Sequence, residues 1–434
     1  MLSVYFVVFA SCATLATTRN VLLDETVVKL NGSARFAARY SNNIEEDARL
    51  NVPELITKYG YPVEVHHVTT EDGYILELHR IPYGRDKSNV PNKNKPIVIL
   101  MHGLLCSSAV WVLTGPGAGF GYILAEEGYD VWMGNFRGNR YSRRHVSLNP
   151  DSIFNIDFWK FSWDEHGNYD LPAIIDYALA HTGKDKLHYI GHSMGTTSFF
   201  TMASLRPQYN EKIISMQALA PVAYMAHNSN PLLEAIAPFS NNIESIADIV
   251  GHGEFLPSSQ VFTWAGEVLC RDKAMFQSMC SNILFLIGGW DEAQHNATIM
   301  PVITGHVPAG SSIRQLAHYG QGISGKEFLR YNQGNIVENL KAYGSFSPPA
   351  YDLIEVHHVT NEDGFVLHRI PYGRDKNNLP NKNKPVVILL HGQLCSSAVW
   401  VVTGPVLVSV TSSLKNDMMC GWETFVVTAI FVAM

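Results

Sequence analysis

The chain has 434 residues, 46% of them hydrophobic and only 16% charged, with a formal net charge of −7. That supply of apolar residues suffices for a sizeable core and excludes a largely disordered chain. The acidic balance, with no basic stripe, excludes a general nucleic-acid binder, and the eighteen histidines read as mostly ordinary surface or loop residues.

In chain order, residues 1–16 form an apolar run (Leu2, Val4, Phe6, Val7, Val8, Phe9) ending in the small residues Ala13 and Ala16. This pattern predicts a secretory signal peptide, too short to span a bilayer, and a secreted or lysosomal destination. It also makes Asn296 and, more weakly, Asn31 candidates for N-glycosylation, since each begins an Asn-x-Ser/Thr sequon. After an N-terminal segment (17–52), residues 53–219 alternate strand-like and helix-like stretches. Tyr74–Pro82 reads as a half-buried strand, Pro96–Met101 as a buried central strand and Gly119–Gly128 as a helix. Tyr129–Met133 reads as a strand, Asp170–His181 as an amphipathic helix, Leu187–Ile190 as a strand and Thr196–Leu205 as a helix. The alternation predicts an α/β fold with a mostly parallel sheet covered on both faces. Residues 220–324 lack it, mixing apolar helical segments (231–238, 280–287) with turns, and read as an inserted cap; 325–353 return to the core.

An internal repeat follows. Val63–Pro116 returns nearly verbatim as Ile354–Pro405, except that GYILELHR has become GFVLHR, two residues shorter. One such copy is too small to bury a core of its own. Residues 406–434 show no period, and the apolar stretch at their end is too short to cross a membrane.

The chemistry concentrates at Gly191-His192-Ser193-Met194-Gly195. A serine hydroxyl needs a base to take its proton and donors to hold the oxyanion. Gly-x-Ser-x-Gly between an apolar strand and a helix supplies a sharp turn that exposes the serine, and the glycines admit neighbouring backbone. Ser193 is therefore the candidate nucleophile. The backbone N–H groups of Met194 and of Leu104, in His102-Gly103-Leu104 after the apolar strand, are the candidate oxyanion donors. The base and acid are not identifiable. Asp291 and His295 lie too close together to come from successive strand-end loops. Asp375 and His391 fall in the repeat, where their counterparts Asp86 and His102 have scaffold positions. Nothing in the spacing asks for a metal or a cofactor.

With these residues assembled, the chain resembles the acid lipase family of animals over about Pro53–Leu353. The resemblance is carried by Gly60-Tyr61-Pro62-Val63-Glu64, His102-Gly103-Leu104-Leu105, Gly128-Tyr129-Asp130-Val131-Trp132 and Arg137-Gly138-Asn139. Tyr169-Asp170-Leu171-Pro172, the stretch Leu187 to Ser193, and Pro348-Pro349-Ala350-Tyr351-Asp352-Leu353 complete it. It implies an α/β-hydrolase core with a cap and lid, and hydrolysis of triacylglycerols or sterol esters at a lipid–water interface through a serine acyl-enzyme. It also implies the same roles for Ser193, Leu104 and Met194, and a cap disulfide between Cys270 and Cys280. The family's last core strands, with the loops bearing the triad aspartate and histidine, are replaced after Leu353 by the repeat. Two origins stand side by side: a gene model joining one lipase to the opening of a neighbouring copy, and a real fused product. A homologue that binds lipid without turning it over is the rival function. Oligomeric state is not readable.

Overall fold

The computed structural model describes residues 44–86, 92–152, 156–225, 253–256, 297–351, 355–357 and 367–369. The chain enters through two short helices, α1 (Ile44–Arg49) and α2 (Val52–Lys58). α2 starts where it does because Asn51 and Glu54 cap it reciprocally. Asn51 Oδ1 accepts from the Glu54 N–H at 2.9 Å, and Glu54 Oε2 from the Asn51 N–H at 2.8 Å. A hairpin follows, β1 (Glu64–Thr69) and β2 (Tyr74–Ile81), in antiparallel register from Glu64 opposite Arg80 to Thr69 opposite Ile75. Then come β3 (Ile97–Met101), α3 (Phe120–Glu126), β4 (Asp130–Gly134), β5 (Arg144–His145), α4 (Leu171–Thr182), β6 (Leu187–His192), α5 (Met194–Leu205) and β7 (Ile213–Leu219).

These strands form one seven-stranded sheet in the order β1-β2-β4-β3-β6-β7, with β5 paired to β2. β4, β3, β6 and β7 run parallel, and the β1–β2 hairpin joins antiparallel at the β4 side. The central strands are apolar throughout because both their faces are covered. In β3, Ile97, Ile99 and Met101 enter one core, with Trp132 of β4 and with Ile174 and Phe199 of α4 and α5. Val98 and Leu100 enter the other, with Val131 and Met133 of β4 and residues of α2 and α3. The period-two alternation of a strand thus feeds two separate cores.

Farther along, β8 (Glu254–Phe255) pairs with β9 (Ser311–Ser312). Between them, α6 (Met300–His306) lies against α1 so closely that a Cβ on Gly305 would sit 2.1 Å from the Ala48 carbonyl oxygen. α7 (Ile313–Gly325) sends Ile313, Leu316 and Tyr319 into the core that holds α4 and α5, and α8 (Ile336–Tyr343) follows. In the second copy, β10 (Glu355–His357) pairs with β11 (Leu367–Arg369), Glu355 opposite Arg369, the same pairing as Glu64 opposite Arg80. Among the described residues no helix is long and apolar enough to cross a membrane.

Two expectations need correction. β6 runs two residues beyond Ile190 and α5 begins two before Thr196, so Ser193 alone separates strand from helix. Among the described histidines the expectation of surface or loop positions fails for His79, His102, His166, His192, His306 and His318, which are buried, while His66, His145 and His188 are half-buried and His67 and His181 exposed. The segments 1–16, 231–238 and 280–287, the sequon residues Asn31 and Asn296, Cys270, Cys280, and the pairs Asp291/His295 and Asp375/His391 lie outside the described residues.

Candidate active site

Ser193 sits at φ 50° and ψ −115°, a left-handed conformation that costs a non-glycine residue on the order of 1–3 kcal/mol. The surroundings impose it. The Ser193 N–H donates to the Leu219 carbonyl of β7 at 2.9 Å, and the Tyr189 hydroxyl donates to the Gly195 carbonyl at 2.7 Å. Thr196 Oγ1 donates to the Ser193 carbonyl at 2.6 Å and accepts from the Val222 N–H at 3.0 Å. Both glycines of the motif are required by space. A Cβ at Gly191 would lie 2.8–2.9 Å from the Gly195 and Thr196 backbone, and one at Gly195 only 2.5 Å from the Met101 carbonyl oxygen. Met194 is the first residue of α5, so its N–H has no acceptor within the helix and lies at the positive end of the helix dipole.

The loop after β3 runs beside the serine. A Cβ on Gly103 would meet the His192 ring at 3.1 Å and the Ser193 Cβ at 3.2 Å, which puts the Gly103–Leu104 backbone against the hydroxyl's side chain. The loop is held by the His102 ring. Its Nδ1–H donates to the Gly103 carbonyl at 2.8 Å, and Nε2 accepts from the Phe136 N–H and Asn139 Nδ2, each at 3.1 Å. Two donors on Nε2 fix a neutral tautomer, and burial pushes the ring down to about 4. His102 is thus a scaffold clamp. From the other side the Ala309 N–H donates to the Leu105 carbonyl at 2.7 Å.

The Asn135–Arg140 segment that grips His102 is itself anchored by Arg137, whose side chain is almost fully buried. Arg137 donates to both oxygens of Asp72 (2.6 and 2.9 Å), to Asp170 through Nε at 2.8 Å and through Nη2 at 2.7 Å, and lies 3.9 Å over the Tyr74 ring. Two carboxylates and an aromatic face make the buried guanidinium tolerable.

Ser193 Oγ accepts and donates no hydrogen bond among the described residues, and of the buried histidines His166 and His318 have partners elsewhere, while Nδ1 of His192 has none. His166 stacks on Phe136 (ring centroids 4.3 Å apart) with Nε2 2.7 Å from Gln315 Nε2, and burial holds it well below its usual range. His318 stacks 3.6 Å from Trp163, with Nδ1 3.0 Å from Ser162 Oγ and Nε2 2.9 Å from the Leu329 carbonyl, and is pushed down to about 4 by burial. His192, next to the serine, is pushed down to about 3 for the same reason. The described residues therefore contain a serine turn and an adjoining backbone loop, without a base on the hydroxyl.

The sequence matches the family described as a partial α/β-hydrolase lipase region twice, over residues 52–115 and 351–404, and the α/β hydrolase fold family over 96–242. Lipase lipl-1 of Caenorhabditis elegans is 40% identical over 332 residues, which is 76% of this chain and 81% of the relative. Gastric triacylglycerol lipase of Mus musculus is 40% identical over 335 residues (77% and 82%). The lysosomal acid lipase/cholesteryl ester hydrolase of Homo sapiens is 38% identical over 310 residues (71% and 76%). The chain belongs to the acid lipase family of α/β-hydrolases. The two matches to the lipase region fall on the two copies of the repeat, so this acid lipase family member carries the family's opening segment twice.

Sequence reasoning missed the clamp around His102. Asn139 gave its signal in Arg137-Gly138-Asn139, but its partners come from distant loops. It also missed that Cys106, in the loop after β3, is disulfide-bonded.

Proposed function

We propose that the chain hydrolyses carboxylic esters of neutral lipids, triacylglycerol or sterol ester, through an acyl-enzyme on Ser193. The observation that carries this reading is the serine on its left-handed turn with the Gly103–Leu104 backbone packed against it. In the proposed reaction the Ser193 oxygen attacks the ester carbonyl while a base takes its proton. The N–H groups of Met194 and Leu104 hold the tetrahedral oxyanion, the alcohol departs with the proton, and water then cleaves the acyl-enzyme. The substrate class is that named for the gastric and lysosomal relatives. Disulfide-bonded Cys106 supports an oxidising compartment, and with it a secretory route, glycosylation at Asn296 and Asn31, and a Cys270–Cys280 bridge in a cap over 220–324.

A second reading is favoured by one observation, the absence of a base on Ser193 Oγ among the described residues: a lipid-binding homologue that does not turn over. Fluorophosphonate labelling and hydrolysis of a triacylglycerol emulsion by the purified full chain separate the two. Labelling at Ser193 with hydrolysis lost in Ser193→Ala supports the lipase. An intact chain that binds the emulsion but neither labels nor hydrolyses it refutes catalysis and leaves the second reading.

A further inference from the structure

Glu64 and His66 point from the same side of β1, the strand at the far edge of the sheet from β7. α4 packs across this strand and brings Tyr177 and His181, one helical turn apart, onto the same spot. Ligand atoms of Glu64, His66 and His181 all lie within 4.8 Å of one another. His66 Nε2 is 2.9 Å from Glu64 Oε2 and its Nδ1 is 3.0 Å from the Tyr177 hydroxyl; the His66 and His181 rings are 4.8 Å apart.

We propose that Glu64, His66 and His181 form a binding site for a divalent transition metal of the zinc class. Two imidazoles and a carboxylate are a ligand set that zinc accepts, with water completing a tetrahedron. Ligand atoms around zinc stand roughly 3.3 Å apart, so closure requires a shift of His181, whose side chain is exposed and at the last turn of α4. Tyr177 supplies the outer support. When the His66 Nε2 lone pair turns to the metal, the ring proton resides on Nδ1 and donates to the Tyr177 oxygen, which fixes tautomer and ring plane. Both hydrogen bonds that Glu64 accepts land on Oε2, which leaves Oε1 for the ion. The neighbouring Arg80 donates to Glu64 Oε2 at 2.7 Å, and its guanidinium is also paired two-fold with Asp130, at 2.8 and 2.7 Å, so its charge is balanced and Oε1 stays open to a cation. Counting Glu64, Arg80 and Asp130, the local charge is −1. Four strand spacings of about 4.8 Å separate β1 from β6, so this site is remote from Ser193 and its occupancy ties helix to strand rather than joining the ester chemistry.

Isothermal titration of the full chain with zinc chloride tests this. The expected result is one saturable site per chain, with affinity at least about ten-fold weaker in His181→Gln and weakened about ten-fold in Tyr177→Phe. Melting of metal-free His181→Gln should match the wild type, since the side chain is exposed. Copper(II) should quench Trp132, whose ring lies 4.8 Å from His66 and 5.5 Å from His181, and the quenching should vanish in His181→Gln. No saturable zinc binding, or equal binding by wild type and His181→Gln, overturns the proposal.

Discussion

Replacing Gly195 by alanine puts a single methyl group where the structure has no room. The new Cβ would stand 2.5 Å from the Met101 carbonyl oxygen, 3.0 Å from its carbon and 3.1 Å from the His102 carbonyl oxygen. Normal contact begins near 3.4 Å, so one partner must retreat by almost 1 Å. Met101 cannot do so cheaply, because it ends a central strand and pairs with Gly191 in parallel register. The start of α5 must move instead and carry Ser193 with it. Overpacking of this kind costs about 1–3 kcal/mol, and we expect about 2 for Gly195→Ala. Urea denaturation at neutral pH measures the loss. Gly325→Ala is the control, since a Cβ there meets nothing within 4 Å, and its midpoint should stay within about 0.5 kcal/mol of the parent. Fluorophosphonate labelling should fall further in Gly195→Ala than its stability would explain, because the hydroxyl is displaced from the Gly103–Leu104 backbone. If Gly195→Ala denatures and labels like the control, the steric account of the serine turn is wrong.

Acid should weaken the fold through its buried histidines. His102, His306 and His318 are pushed down to about 4 and His192 to about 3, all by burial. With folded values below the unfolded 6.5, the unfolded chain takes up protons that the native one excludes, so stability is complete above pH 6.5. It is lost as pH falls toward 4, at up to about 1.4 kcal/mol per pH unit for each ring. Urea midpoints at pH 7 and pH 5 test this, and equal midpoints would contradict it. Arg137→Met leaves the fully buried Asp170 without its countercharge and should cost about 3–5 kcal/mol in chemical denaturation; a loss below about 1 kcal/mol would mean that the carboxylate finds water. Asn51→Ala removes half of the α2 capping box and should cost about 1 kcal/mol, measured the same way, with no effect on labelling of Ser193.

How far the sequence reached follows from how each element is stabilised. Ile97–Met101 was legible because burial on two faces leaves an unbroken apolar run. The Ser193 turn was legible because its glycines answer a steric demand within five residues. β1 was not, since Glu64-Val65-His66-His67-Val68-Thr69 has no apolar alternation, and the partners of Glu64 and His66, Arg80 and Tyr177, come from elsewhere. α7 was hidden by three glycines and a buried His318, although its apolar residues enter the main core. The histidines misled for one reason: the imidazole is polar on average, yet rings with a partner on each nitrogen, such as His102 and His318, pack like aromatics. The base for Ser193 was not legible, and no described residue supplies one.

The second copy repeats part of the sheet's edge in sequence and in register. Leu367-His368-Arg369 repeats Leu78-His79-Arg80, the stretch of β2 that pairs with β4, and β10–β11 keeps the register of the original. Removing two residues, an even number, keeps the period-two sequence pattern of the duplicated stretch in phase. It shortens the strand's reach, however, by roughly 6.6 Å. β2 uses its full length, holding β4 with Leu78–Ile81 and β5 with Tyr74 and Ile75. The second copy's sequence is two residues short of the length that this double role takes.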